Sequence, residues 1–293
     1  MSKRLIIGLL LVLTLVVLGF GANTARNVAR WQPFTTTPDE RHQLLASGWR
    51  LVRPAGPGPH KAAVLMSGCD GVHDNMDLWA DRLVAMGRAA LIVDSHHPRG
   101  LDQNQAWRAI CTGQVLTGAE RAGDIAVALA TLRQMPDIDA QDVILLGASH
   151  GGWSVMELLQ LLGGDTPPPG LSAWPAPRDQ LARQIGPVIL LYPYCGLASG
   201  AGKAVWPEWV RGLLILAEKD SIVDTPKCLA MAEGLIAKGA KLEITVLPGA
   251  DHGFDQSERS VLSPLKFDQR HTDAAMRAID GFLRHFANPV PKV

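Results

Sequence analysis

The 293-residue chain carries 28 Lys+Arg and 28 Asp+Glu, so its formal charge is zero. No basic block stands out, which argues against a nucleic-acid partner, since that binding needs a concentrated positive surface. Aromatic residues are scarce, Gly (29) and Pro (20) are plentiful, and the length suits about two domains or one large α/β domain, either with a core of Leu, Val, Ile and Ala.

Lys3 and Arg4 precede an uncharged apolar run from Leu5 to Phe20. Residues 1–22 therefore read as a signal peptide or an N-terminal membrane anchor. Gly19 and Gly21 fit a small-x-small cleavage site, and Ala25 is a poorer alternative. Under either reading the bulk of the protein lies outside the cytoplasm, periplasmic, secreted or membrane-anchored. Residues 23–48 form a polar, Pro-containing lead-in to a domain spanning 49–293.

Within that domain, strand and helix patterns alternate. Trp49 to Val52 is a short strand. "KAAVLMSG" (61–68) is an apolar run stopped by Gly, followed by "MDLWADRLVAMG" with apolar residues at helical spacing. "AALIVDS" (89–95) is the next strand. From Glu120 to Met135 one apolar stripe runs along a helix, with Glu120, Arg121, Asp124 and Arg133 falling away from it. "DVILLGAS" is a strand, and Trp153 to Leu162 a helix. The Pro-rich stretch 163–180 breaks the rhythm, as a flap over the site or a passive surface loop. Order resumes with "PVILLYPY", "LLILAEKD", a helix over 226–238, "KLEITVLPG", and a last helix over 273–286. Apolar strands alternating with helices predict a mostly parallel sheet covered on both faces. In such sheets, functional residues gather beyond the carboxyl ends of the strands.

Four cysteines, Cys69, Cys111, Cys195 and Cys228, permit two disulfides in an oxidising compartment, with three pairings open. No C-x-x-C spacing exists, which speaks against zinc. His96-His97 sits after a strand and is a candidate to line the pocket. Asp70, His73 and Asp74 are a weak metal candidate. His42, His60, His271 and His285 read as surface residues. No metal or cofactor is expected.

The stretch "LLGASHGG" places Ser149 in a G-x-S-x-G pattern that ends a strand and opens a helix. The small residues allow close approach of strand and helix, and expose the Ser149 hydroxyl at a helix N-terminus. The His150 N–H is then free to donate to an oxyanion. A serine hydroxyl needs a base. His252, in "LPGADHGFD" just past the last strand, is the candidate. The acid follows the preceding strand, where Asp220 is preferred and Asp224 is the rival. The second oxyanion donor is the Cys69 N–H in "SGCDG", with Asp70 next.

These motifs, with "VDSHHPRG" and "LLYPYCG", resemble the α/β-hydrolase fold and, within it, the dienelactone hydrolase family, from about Lys61 to Phe286. The resemblance implies a mostly parallel sheet of about eight strands with helices on both faces, no metal, an acid at Asp220 and a base at His252. Well-studied dienelactone hydrolases use a Cys nucleophile. Ser149 stands there instead, which favours a serine esterase. Asp70 occupies the oxyanion loop where related sequences often carry Gly, and a negative charge there is unhelpful unless it points away. The fold also implies the pairings Cys69–Cys111 and Cys195–Cys228. The expected activity is hydrolysis of a small-molecule carboxylic ester through an acyl-enzyme. A non-catalytic binding protein of the same fold, or a peptidase or acyltransferase on the same residues, is the alternative.

Overall fold

In a computed structural model, which describes residues 2–259 and 263–287, the alternating pattern folds into one seven-stranded sheet with helices on both faces. The strands are β1 (Trp49–Val52), β2 (His60–Met66), β3 (Arg88–Val93), β4 (Ile138–Ala148), β5 (Ile185–Leu191), β6 (Arg211–Ala217) and β7 (Lys241–Leu247). Their spatial order is β1-β3-β2-β4-β5-β6-β7. Only β1 runs antiparallel, against β3; the other neighbours pair in parallel.

Alternation within β2 shows why these strands read as unbroken apolar runs. Ala62, Val64 and Met66 pack on one face with α5 (Gly118–Leu132), α6 (His150–Leu162) and α8 (Thr225–Ala237). Ala63 and Leu65 pack on the other with α3 (Asp74–Ala85) and α9 (Gln269–Ala287). A sheet covered on both sides has no polar face to display.

The resemblance implies about eight strands; the described residues form seven. Residues ahead of β1 are wound into α2 (Pro38–Ala46) instead. A reciprocal Thr37–Glu40 capping box and Pro38 in the first turn start that helix. Before it, α1 (Lys3–Val28) carries the N-terminal apolar run. It is long and apolar enough to cross a membrane, by length and composition, and its apolar window is wholly unburied. Its last two turns touch the domain: Asn23 Nδ2 donates to Gln114 O at 2.6 Å, and Asn27 Nδ2 to Gly113 O at 2.8 Å.

The polar side of α5 differs from expectation. Arg121 and Asp124 are fully buried rather than turned outward. The reason is that α2 and the loop after β3 cover that side. Asp124 Oδ1 accepts from Arg41 at 2.8 Å and from Arg99 Nη2 at 2.8 Å, and its other oxygen accepts from Arg99 Nη1 at 3.0 Å. The Pro-rich stretch packs on the lead-in through a Thr36–Leu171 bridge and a bond from Arg41 to Gly170 O at 2.8 Å. It ends in α7 (Arg178–Gln184), which leads straight into β5. Both disulfides form as the resemblance implies, with Cα separations of 5.1 Å for Cys69–Cys111 and 5.3 Å for Cys195–Cys228, within the usual range.

Candidate active site

Strand order reverses direction between β2 and β4, and a crevice opens there at the carboxyl ends of the strands. Ser149 occupies the turn from β4 into α6 with φ 52° and ψ −114°. A non-glycine residue in that region is strained, and the surrounding packing must hold it. The neighbours are small because nothing larger fits. A Cβ on Gly151 would lie 2.1 Å from Met66 O, and one on Gly147 would lie 2.5 Å from Gly151.

His252 follows β7. Its Nε2 lies 2.8 Å from Ser149 Oγ, and its Nδ1 lies 2.7 Å from Asp220 Oδ2. The side chains of His252 and Asp220 are nearly inaccessible to solvent. The other Asp220 oxygen accepts from the N–H groups of Ile222 at 2.9 Å and Val223 at 2.7 Å, which orients the carboxylate. Asp251 accepts from the N–H groups of Ser221 and His252 and so ties the two loops together. Asp224, by contrast, caps α8 by accepting from Lys227 N at 3.2 Å and is solvent-exposed. It does not approach the imidazole.

The sequence reading missed the base of this site. Tyr192 packs edge-on against the His252 ring, 4.8 Å between centroids. Its hydroxyl donates to Asp255, which also accepts from Trp79 Nε1 at 2.6 Å. Burial raises the pKa of the Asp255 carboxyl against these bonds and pushes the Tyr192 phenol well above its ordinary range, helped by Asp255. The pair anchors the loop that carries His252.

Beneath the loop after β2, the candidate oxyanion loop, lies Arg121. Its Nη1 donates to Ser67 O at 2.9 Å, lies 3.0 Å from His150 Nδ1, and faces Gly68 O at 3.4 Å. Burial lowers the guanidinium to about 10 while Asp124 opposes the shift, so it stays charged at neutral pH. The backbone N–H groups of Cys69 and His150 have no backbone acceptor among the described residues.

A cavity of about 300 Å³ opens over Ser149. Its walls include Trp107, Ile110, Trp153, Tyr194, Ile222 and Leu265. Residues 107–113, from α4 (Gln103–Ala109) and the turn after it, form one wall and are stapled to the oxyanion loop by Cys69–Cys111. The candidate pocket residues His96 and His97 do not line it. His96 is buried, and burial, with Arg121 and Arg99 nearby, lowers its pKa well below the ordinary value; His97 is exposed. No residue of the stretch 163–180 lines the cavity; Leu171 is buried and Trp174 and Ala176 pack on the core instead.

The weak metal candidates have other partners. Asp70 accepts from Gln256 and faces His73, while Asp74 accepts from the N–H groups of Ser257 and Glu258. Among the described residues no group of three or more His, Cys, Asp or Glu is arranged to hold a metal. His271, expected on the surface, is buried with Nε2 3.1 Å from Pro248 O. The side chain of His285 lies outside the described residues.

Residues 212–289 match the dienelactone hydrolase family. No curated protein matches the chain. Among solved structures, esterase 2 of Thermogutta terrifontis, phosphonylated by cyclosarin, is 17% identical with a TM-score of 0.62, covering 83% of this chain and 90% of that one. The same esterase with butyrate bound is 15% identical with a TM-score of 0.60, covering 84% and 91%. A candidate dienelactone hydrolase from Klebsiella pneumoniae is 17% identical with a TM-score of 0.58, covering 79% and 90%. The chain thus has the α/β-hydrolase fold, and residues 212–289 are similar to the dienelactone hydrolase family.

Proposed function

We propose that this α/β-hydrolase is a serine carboxylic-ester hydrolase that works through Ser149, His252 and Asp220. The observation that supports it best is the unbroken chain of hydrogen bonds from Ser149 Oγ through His252 to Asp220, at 2.8 and 2.7 Å, on the floor of a largely apolar cavity. Ser149 Oγ attacks the ester carbonyl while His252 Nε2 takes its proton. Asp220 holds the Nδ1–H tautomer and stabilises the imidazolium. The N–H groups of His150 and Cys69 receive the charge that develops on the carbonyl oxygen. His252 protonates the departing alcohol, then activates a water that releases the acyl group from Ser149.

The similar Thermogutta esterase is phosphonylated by cyclosarin, so an organophosphorus probe is the direct test. A fluorophosphonate should label the wild type on Ser149 and leave Ser149→Ala unlabelled. Turnover of p-nitrophenyl butyrate should fall on the order of 10⁴-fold or more in that variant. Equal labelling of both proteins overturns the reading. No turnover of any short ester, with no labelling, would leave a non-catalytic binding protein. Acyl transfer to an added alcohol or amine in preference to water would make it a transferase.

The N-terminal helix and two disulfides support a domain outside the cytoplasm. The mass of the mature chain, recovered from membrane and soluble fractions, distinguishes a retained anchor from a signal peptide cleaved near residues 21–25.

A further inference from the structure

We propose that Asp70 reads substrate charge: its free carboxylate oxygen, beside Ser149, accepts from an ammonium group close to the scissile carbonyl, so the site takes amino-bearing esters and disfavours carboxylate-bearing ones. This rests on the ester-hydrolase reading of Ser149.

Asp70 is 5% exposed and lines the cavity. Its two oxygens are in different situations. Oδ2 accepts from Gln256 Nε2 at 2.8 Å and faces His73 Nε2 at 3.3 Å. No hydrogen bond among the described residues uses Oδ1. That oxygen is 3.0 Å from the point a Cβ on Gly68 would occupy, and the Ser149 Cβ is 3.8 Å from the same point. Gly68 therefore leaves open the space that Asp70 and the nucleophile share. Oδ1 is not among the buried unpartnered atoms and opens onto the cavity, where a ligand donor can take the place of water.

The rest of the cavity favours the same sign. Trp107, Trp153, Tyr192 and Tyr194 line it, and aromatic faces attract cations. No Lys or Arg lines it among the described residues. Arg121 lies behind the Ser67 and Gly68 peptides, to whose carbonyls it donates. His73 meets Asp70 through Oδ2, away from the free oxygen. Burial lowers the His73 pKa, but its bond and attraction to Asp70, with Glu258 adding, raise it overall, so at about pH 6.5 a protonated His73 offsets part of the Asp70 charge. An attacked carbonyl carbon sits about 3 Å from Ser149 Oγ. An amine on the adjacent carbon then comes within reach of Oδ1. A unit charge about 6 Å from Asp70 at an effective dielectric near 20 changes binding on the order of a hundredfold, and the His73 offset makes that figure an upper bound.

The test is a matched series: ethyl butyrate, ethyl 2-aminobutyrate and monoethyl 2-ethylmalonate, assayed at about pH 6.5 in wild type and Asp70→Asn. Comparing each substrate between the two proteins cancels its intrinsic reactivity. In Asp70→Asn the kcat/KM of each charged ester relative to ethyl butyrate should shift by up to about a hundredfold, downward for the ammonium ester and upward for the carboxylate ester, so their ratio should drop by up to about 10⁴-fold. An unchanged ratio overturns the proposal. Fluorophosphonate labelling and Tm show whether the variant is folded. If it is not, wild type decides alone: after correction for alkaline hydrolysis rates, a carboxylate ester turned over as fast as the ammonium ester overturns the proposal. Failure of the hydrolase reading is a separate result, because it removes Ser149-dependent turnover of all three esters.

Discussion

Arg121 Nη1 lies 3.0 Å from His150 Nδ1, and the guanidinium has no exposed surface. The contact fixes the neutral His150 tautomer, since Nδ1 must accept and the proton stays on Nε2. The same nitrogen faces Gly68 O, whose peptide continues into the Cys69 N–H. A cation at the carbonyl end of a peptide polarises its N–H and makes it a better donor. One buried charge thereby braces both candidate oxyanion donors.

Arg121→Met is expected to lower kcat by about 10- to 100-fold, less than the roughly 10²–10³ seen when a donor itself is removed. KM for a short neutral ester should change little, because the effect belongs to the transition state. A KM rise with constant kcat would show that Arg121 serves the pocket wall instead. Arg121→Lys keeps the charge but not the fork, so it should recover part of kcat.

Two buried histidines make stability depend on pH. Burial lowers the His150 pKa well below its usual value, with Arg121 adding, and the same two causes act on His96, where Arg99 contributes too. Both are neutral in the folded state and titrate near 6.5 when unfolded. The unfolded chain therefore binds more protons below that pH, and unfolding free energy falls as the solution is acidified. The contribution is fully present above about pH 6.5 and is lost progressively toward the depressed folded values. Urea unfolding at pH 7.5 and pH 5 should show a drop, limited to about 1.4 kcal/mol per pH unit for each histidine. His96→Gln should flatten this dependence. A slope unaltered by the substitution would assign the acid sensitivity elsewhere.

Asp220 and Asp224 give a sharper contrast. Asp220→Asn keeps the shape but disturbs the tautomer of His252, and kcat should fall on the order of 10⁴-fold. Asp224→Ala removes the α8 cap contact and an exposed ion pair with Lys227, so kcat should stay within about twofold while Tm drops slightly. Comparable kcat losses in both would contradict the separate roles.

Much of this was legible in the chain because position relative to a strand end is a local property. Ser149, His252 and Asp220 each follow an apolar run closely, and parallel strands bring those ends together. What escaped were contacts set by distant segments. Arg121 looks like a solvent-facing residue on α5 until α2 and the loop after β3 close over it. Trp107 reaches the cavity only because the chain after β3 turns back and a disulfide holds it there. Tyr192 and Asp255 meet across 63 residues, which no periodicity encodes.

The Cys69–Cys111 disulfide joins the candidate oxyanion loop to the cavity wall, so its loss should be felt in both. Closing its loop, with a sequence separation of 42, restricts the unfolded chain by about 4 kcal/mol in the chain-entropy estimate. Cys69→Ala/Cys111→Ala should lose roughly 2–4 kcal/mol in urea unfolding. The freed wall at Trp107 and Ile110 should raise KM for a butyrate ester. The Cys69 backbone N–H survives the substitution, so kcat at saturation should fall far less than in Arg121→Met. A kcat collapse in the double variant, with KM unchanged, would mean that the disulfide sets the oxyanion geometry more tightly than Arg121 does.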